Sequence, residues 1–237
     1  MNLGILQCDS VLAQYRGRHA DYPDMIARLL APVGAGLKFA VYDVVQGVYP
    51  AQLDECDAYI ITGSKASVYD DLPWIKALEE FIRVAHRRQK PLVGICFGHQ
   101  LIAQALGGKT MKASQGWGVG VHKNAVYGAK SWQIPTQNEL SLLVSHQDQV
   151  AILPADAELV AGSAFCPHAM YQIGKHILAM QPHPEFTKSY AEEMMRHRVD
   201  KLGSEVFNEG LSSLARPVDT VVAAQWIIRF LQQAQHS

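Results

Sequence analysis

One seven-residue segment, residues 94–100 (GICFGHQ), constrains the fold more than any other part of the chain. It follows a run of aliphatic residues and precedes a stretch of helix formers, so it predicts a strand, a sharp turn and a helix in that order. The glycines two positions before and after Cys96 fit such a turn, because a Cβ there would strike neighbouring backbone. The pattern is the cysteine form of a nucleophile elbow.

Cys96 differs by context from the other three cysteines. At a helix N-terminus, the helix dipole and the free N–H groups favour a thiolate over a thiol. A buried cysteine is otherwise a small core hydrophobe, which is our interpretation of Cys8, Cys56 and Cys166. The sequence therefore predicts Cys96 as a catalytic nucleophile. No metal site is predicted, because neither the cysteines nor the ten histidines have matched ligand spacing.

The order of apolar patterns predicts the fold class. In the first half of the chain, short apolar runs alternate with helical patterns, which is typical of βαβ units around a parallel sheet. Predicted strands there are residues 3–8, 38–43, 58–62 and 91–96, and predicted helices are residues 23–31, 73–88 and 98–106. Beyond residue 108, short alternating segments predict antiparallel or mixed strands added to that sheet. These segments are residues 118–126, 140–144, 158–162, 169–173 and 177–181.

The C-terminal part predicts amphipathic helices at residues 188–202 and 218–233, with a loop or broken helix at residues 203–217. Together these elements predict an α/β three-layer sandwich with a central, mostly parallel, flavodoxin-like sheet and added antiparallel strands. Because the sequence has no repeat, linker or low-complexity tract, we expect residues 1–237 to form a single domain.

Composition excludes several classes of function. The net charge is −1 and there is no basic stripe, so the sequence predicts no nucleic-acid surface. No apolar run approaches the ~20 residues of a membrane span, and the N-terminus lacks a basic head, so we expect neither membrane association nor a signal peptide. Scattered cysteines favour a reducing, cytoplasmic setting.

Far downstream, His183 and Glu185 supply a base and a carboxylate within residues 181–185 (QPHPE). Side chains at i and i+2 of an extended segment share a face, so Glu185 can approach the imidazole that His183 offers to sulfur. The alternative is a turn made by two prolines with two incidental polar residues. We predict the pair as base and orienting group.

Together, the two motifs GICFGHQ and HPE resemble the class I, triad-type glutamine amidotransferase domain, in order and spacing over nearly the whole chain. The resemblance implies hydrolysis of the γ-amide of glutamine through a γ-glutamyl thioester, with release of ammonia. Cys96 would attack, His183 would carry the proton and Glu185 would hold the histidine tautomer. Gln100 matches the residue that helps to bind glutamine, although it could also be an exposed residue of the first helical turn.

The resemblance also implies an oxyanion loop after the third strand, at residues 62–64 (TGS). Backbone N–H groups of Gly63 or Ser64, together with that of Phe97, would face the developing oxyanion. The same residues would also serve as a strand-terminating turn. The chain departs from the family pattern twice, because relatives carry Gly-Gly-Pro or Pro-Gly-Gly at this loop and often Gln-Phe before His-Pro-Glu, where Pro182 stands here.

A further segment, residues 145–150 (SHQDQV), resembles the family pattern S-H-x-D-x-V. That pattern implies that Ser145 and His146 border the α-amino and α-carboxylate groups of glutamine. His146 could instead be a structural histidine capped by Asp148. Trp117, within residues 116–121, is predicted to pack rather than to bind.

Three functions remain open on the sequence. The chain resembles free-standing GMP-synthase-like amidotransferases, which implies a glutaminase, with a separate synthetase subunit as a possible ammonia acceptor, since no P-loop occurs. It also resembles γ-glutamyl peptidases, which cleave glutathione-type compounds through the same thioester. The third possibility is a non-catalytic binding or regulatory module. The expected ligand is glutamine or another γ-glutamyl small molecule, with no cofactor.

Overall fold

A computed structural model describes residues 1–235 as strands and helices in the alternating order expected of an α/β fold. The strands are β1 (Asn2–Gln7), β2 (Lys38–Asp43), β3 (Ala58–Ile61), β4 (Leu92–Ile95), β5 (Lys109–Lys112), β6 (Gly118–Val126), β7 (Glu139–His146), β8 (Asp148–Ile152), β9 (Ala157–Gly162), β10 (Met170–Ile173) and β11 (Ile177–Met180). The helices are α1 (Ala13–His19), α2 (Tyr22–Leu30), α3 (Pro73–Arg87), α4 (Phe97–Ala105), α5 (Lys188–His197), α6 (Val199–Leu202), α7 (Ser204–Ser213) and α8 (Thr220–Gln235).

The central sheet has nine strands in the order β2-β1-β3-β4-β11-β10-β9-β6-β7. The first five pair in parallel, and their order is the flavodoxin-like 2-1-3-4-5 arrangement, with β11 in fifth place. The other strands pair antiparallel, and β5 and β8 form a separate small sheet. The predicted mostly parallel sheet with added antiparallel strands is confirmed.

Helices cover both faces of the sheet because side chains of successive strand residues point to opposite sides. In β4, for example, Val93 packs with α2 and α8, whereas the neighbouring Leu92 packs with α3 and α4. All four residues of β4 are buried, as expected for a central parallel strand. The predicted nucleophile, Cys96, therefore directly follows a fully buried strand.

The β6–β7 ribbon returns to the ends of the parallel strands. It pairs with β9 only through Ala125 and Val126, at one end of β6. Farther along the ribbon, Leu143 of β7 forms a β-bridge with His183, two positions beyond Gln181, the residue that follows β11. The ribbon therefore places the end of β7 beside the carboxyl ends of β4 and β11, where ligands bind in open α/β sheets.

The C-terminal helices differ from the sequence prediction. The helix predicted at residues 188–202 is divided at Arg198 into α5 and α6, and residues 203–217, predicted as a loop or broken helix, contain a ten-residue helix, α7. Helix α7 packs on β6 through small residues: Ser213 accepts a hydrogen bond from the N–H of Val121 at 2.8 Å. Val206 and Phe207 of the same helix pack, partly buried, against a small core cluster of Val119, Met195 and Leu202. Helix α1 and the small sheet of β5 and β8 were also not predicted. None of the helices within residues 1–235 is long and apolar enough to cross a membrane.

Candidate active site

Cys96 occupies the turn between β4 and α4. Its backbone has φ +53° and ψ −99°, a conformation that L-residues rarely adopt, and such strain costs about 1–3 kcal/mol. The turn is held from two sides, because the Cys96 N–H donates to the carbonyl of Met180 at 2.9 Å and its carbonyl accepts from the N–H of Gln100 at 3.0 Å. The predicted elbow therefore forms between the two central parallel strands β4 and β11.

The two flanking glycines are required by close backbone approach. A Cβ on Gly94 would lie 2.6 Å from the carbonyl carbon of Gly98, and a Cβ on Gly98 would lie 2.6 Å from the carbonyl oxygen of Ile61. Both obstacles are backbone atoms, which cannot move aside as a flexible side chain can. Helix α4 is thus pressed against β3 and β4, and this contact fixes where Cys96 stands.

His183 and Glu185 lie together on the loop after β11. The Nδ1 atom of His183 and the Oε1 atom of Glu185 are 2.7 Å apart, and both side chains are almost fully buried. The His183 N–H donates to the carbonyl of Leu143 at 2.8 Å, and its ring stacks on Phe186 with the centroids 3.8 Å apart. Backbone and ring contacts together fix the imidazole, and Nε2 is the ring nitrogen that does not contact Glu185.

The charge environment of His183 favours its protonated form. Burial by itself lowers the pKa of this histidine, because an imidazolium ion loses its solvation. The negative charges of Glu185 and Cys96, with hydrogen bonds to both groups, outweigh burial and raise the pKa to about 10. A side-chain hydrogen bond links His183 to Cys96, and the imidazolium form of His183 persists at neutral pH.

The other buried cysteines lack such a partner. Burial, reinforced by the nearby charge of Cys96, raises the pKa of Cys166 to about 12. Burial also raises the pKa of Cys8 well above that of an ordinary thiol. Both residues thus remain thiols in the core, as the sequence predicts, and all four cysteines are free of disulfide bonds.

The loop after β3 contacts both catalytic candidates. A Cβ on Gly63 would lie 3.0 Å from Cε1 of the His183 ring and 3.7 Å from Cβ of Cys96. The backbone N–H groups of Gly63 and Ser64 donate to no acceptor within residues 1–235. The N–H of Phe97, the first residue of α4, has no acceptor within its helix. Unpaired donors therefore surround the nucleophile.

A cavity of about 300 Å³ opens at Cys96. It is lined by five residues predicted for the site: Ser64, Cys96, Gln100, Ser145 and His146. Gly63, His183 and Glu185 lie behind these residues and do not line the cavity. A larger cavity of about 880 Å³ lies against β6 and α7, but it contains none of the predicted site residues.

Gln100 and His146 are both held by the backbone carbonyl of Asp148. The Gln100 Nε2 donates to this carbonyl at 2.8 Å and to Oε1 of Gln181 at 2.9 Å. The His146 Nδ1 donates to the same carbonyl at 3.1 Å, so its contact is with the Asp148 backbone and not with the carboxylate of that residue. Burial lowers the pKa of His146 to about 3, so its ring is neutral and its buried Nε2 is a lone-pair acceptor without a partner in residues 1–235.

The family description "Glutamine amidotransferase class-I" matches residues 19–202, which is most of the chain. The chain belongs to the class I glutamine amidotransferase family. It is 32% identical to gamma-glutamyl peptidase 3 of Arabidopsis thaliana over 168 residues, covering 68% of each chain. It is also 30% identical over 191 residues to a glutamine-hydrolyzing GMP synthase of Streptococcus pneumoniae, covering 75% of this chain and 34% of that protein.

The chain also resembles solved structures in its fold. The crystal structure of a glutamine amidotransferase from Thermotoga maritima matches with a TM-score of 0.76 at 18% identity, and the match covers 99% of both chains. At this identity the likeness concerns the fold alone. It confirms the α/β architecture predicted from the sequence.

Three positively charged residues at the cavity, Lys65, Arg198 and Lys201, were missed from the sequence. Arg198 and Lys201 line the cavity, and Arg198 stands at the break between α5 and α6. The Arg198 guanidinium lies 5.5 Å from the ring centre of Trp117, which also lines the cavity although it was predicted only to pack. No sequence pattern indicated Arg198, because it lies inside a segment predicted as one continuous helix.

Proposed function

We propose that the chain is a cysteine hydrolase that cleaves the γ-amide of glutamine through a γ-glutamyl thioester on Cys96. The observation that carries this proposal is the strained Cys96 elbow beside a buried His183–Glu185 pair, at the floor of a cavity lined by Gln100 and Ser64. A nucleophile, a base and a group that orients the base are the parts that covalent acyl transfer requires.

In the first step, the Cys96 sulfur attacks the γ-carbonyl carbon, and the carbonyl π electrons move onto oxygen. The N–H groups of Ser64 and Phe97 stabilise that oxyanion, and we assign Ser64 rather than Gly63 because Ser64 lines the cavity. Gly63 instead provides the space that the His183 ring occupies.

In the second step, the tetrahedral intermediate collapses and the bond from carbon to nitrogen breaks. The His183 imidazolium donates its proton to the departing nitrogen, so ammonia leaves and a γ-glutamyl thioester remains. His183 then takes a proton from water as the water oxygen attacks the thioester carbon. Release of glutamate restores the protonated His183 and the Cys96 thiolate.

A second candidate is a γ-glutamyl peptidase, in which the leaving group is an amino acid or a peptide rather than ammonia. The similarity to the Arabidopsis gamma-glutamyl peptidase, which covers two thirds of both chains, favours this candidate. The thioester steps are the same for both, because only the leaving nitrogen differs. A glutaminase could in addition supply ammonia to a synthetase subunit, in keeping with the similarity to a GMP synthase. Either reaction needs an unoxidised Cys96, which a reducing compartment such as the cytoplasm provides.

The direct test is covalent trapping with a chloroketone analogue of glutamine, followed by intact mass measurement. We expect one adduct per chain in the wild type and in Cys166→Ala, and none in Cys96→Ala. Assays of ammonia from glutamine, and of free amine from γ-glutamyl peptides, then separate the glutaminase from the peptidase. No adduct and no product from either substrate would support the non-catalytic module instead.

A further inference from the structure

Arg198 is held in place at the wall of the cavity opposite the elbow. Its Nη1 donates to Oγ of Ser145 at 3.0 Å, and its guanidinium lies over the ring of Trp117. A cation on an aromatic face is attracted by the ring quadrupole, which fixes its orientation. A guanidinium has five N–H donors in a fork that matches a carboxylate, and only one is used by Ser145.

The charges that line the cavity do not balance. Lys65 is paired with Asp9 at 2.9 Å. The Asp148 carboxylate accepts hydrogen bonds from Ser67 at 2.6 Å and Tyr69 at 3.0 Å and forms no ion pair within the described residues. Neither Arg198 nor Lys201 forms an ion pair with any carboxylate in the part of the chain that the structure describes. The unpaired lining charges are therefore two cations and one carboxylate.

This excess of positive charge favours substrates that carry more than one negative charge. The amino acid end of a γ-glutamyl group carries one ammonium and one carboxylate. The ammonium suits the Asp148 carboxylate, and the carboxylate suits one of the two cations. The remaining cation attracts a second negative charge on the substrate, and Arg198 gains more from such a partner than the exposed Lys201, because it is half-buried over the ring of Trp117.

We propose that Arg198, supported by Lys201, binds a carboxylate on the leaving part of the substrate, so that the preferred substrates are γ-glutamyl peptides with a free carboxylate rather than glutamine. The inference rests on the proposed thioester chemistry and specifies its substrate class. A cavity of about 300 Å³ lies at the lower end of the range for small-ligand sites, which suits a dipeptide.

The test compares γ-glutamylglycine with γ-glutamylglycinamide, two substrates that differ only in the terminal carboxylate. We expect wild-type kcat/KM to be higher for γ-glutamylglycine, and the ratio of the two values to fall by roughly 10- to 100-fold in Arg198→Met, as for the loss of a charged hydrogen bond. Arg198→Lys should keep part of the preference, because the charge remains while the fork is lost.

Arg216→Met is the matched control, because Arg216 lines the larger cavity against β6 and not the one at Cys96. It should leave the substrate ratio unchanged. A loss in Arg198→Met that is shared equally by both substrates would overturn the inference, since it would place Arg198 on the glutamyl carboxylate that both contain. An unchanged ratio would also overturn it.

Binding of the same two compounds to Cys96→Ala, measured by calorimetry, makes the result independent of turnover. If no γ-glutamyl compound is hydrolysed by the wild type, the proposed function fails. Preferential binding of γ-glutamylglycine by Cys96→Ala would still support the Arg198 site, provided that the preference is lost in the double variant Cys96→Ala/Arg198→Met. Equal affinity for the two compounds would refute it.

Discussion

The two halves of the central sheet contribute different things to the cavity. The parallel half (β2, β1, β3, β4 and β11) ends in the loop at residues 62–64 proposed to hold the oxyanion, the Cys96 elbow and the His183 loop. The antiparallel half (β10, β9, β6 and β7, with α5–α7 packed on it) brings Ser145, His146 and Arg198 to the opposite wall. Every group proposed to act on the reacting atoms comes from the first half, and the cation proposed to select the substrate comes from the second.

The difference follows from how each half is built. The parallel half is enclosed by helices on both faces, and its elbow tolerates no extra atom at Gly94 or Gly98. The β6–β7 ribbon contacts it through the bridge from Leu143 to His183 and through Leu140 and Leu142 in the shared core. Substitutions in the parallel half should therefore abolish chemistry on all substrates, whereas those in the antiparallel half should change which substrate is preferred.

The largest effect is expected at the nucleophile and its base. Cys96→Ala and His183→Ala should each lower kcat/KM by roughly 10⁴-fold or more for every γ-glutamyl substrate, because a covalent pathway needs both residues. The measurement is steady-state kinetics with glutamine and a γ-glutamyl peptide in parallel. Near-wild-type rates in either variant would show that the reaction does not depend on these residues of the parallel half.

Glu185→Gln should have a smaller effect on rate, about 100-fold, and a diagnostic effect on pH dependence. Since the pKa of His183 is raised to about 10, the imidazolium persists well above pH 7 and activity should fall only at alkaline pH. Without the Glu185 charge, burial lowers that pKa and the alkaline limb of kcat/KM should move to lower pH by about one unit or more. Glu192→Gln, which removes a surface carboxylate paired with Arg196, should leave the profile unchanged.

Gly98→Ala tests how tightly the elbow is packed. The new Cβ would meet the carbonyl oxygen of Ile61 at 2.6 Å, so we expect a loss of about 1–3 kcal/mol in the free energy of unfolding. Urea denaturation measures it. Gly17→Ala on α1 is the matched control, because its Cβ would meet nothing within 4 Å and should raise helix stability slightly. Equal stability of the two variants would contradict the close approach of α4 to β3.

The smallest effect is expected at Ser145, in the antiparallel half. Ser145→Ala removes the hydrogen bond to Arg198 and should lower the preference for γ-glutamylglycine over its amide by about 2- to 10-fold. Ser141→Ala on the same strand is the control, since Ser141 is held through its backbone N–H to Asp219. An equal loss of kcat/KM for both substrates would assign Ser145 to catalysis and would contradict the proposed division of roles between the two halves.

The same contrast separates what the sequence could predict from what it could not. Strands of the parallel half were predicted within one or two residues, because most of them are short apolar runs followed by a helical pattern. Residues 94–100 and 183–185 identified the candidate triad, since close packing and the needs of acyl transfer leave few residue types possible there. The single-domain prediction remains a prediction.

The antiparallel half was harder to predict for a physical reason. Helix α7 is buried through Gly210 and Ser213, and a Cβ on Gly120 would lie only 2.5 Å from the Gly210 carbonyl oxygen. The residues in closest contact with β6 are thus small, and the helical pattern rests on apolar residues that are only partly buried, such as Val206 and Phe207, so the sequence left the segment as a loop or broken helix. Arg198 reaches the cavity only because the helix breaks at that residue, and no local pattern signals the break.

The stacking of Phe186 on His183 has a consequence for turnover. One face of the imidazole is covered at 3.8 Å, and the backbone of Gly63 bounds the Cε1 edge. The ring therefore has one orientation before substrate arrives, and almost no rotational entropy is lost in aligning it during each cycle. The rigidity of the base is thus already present in the resting protein.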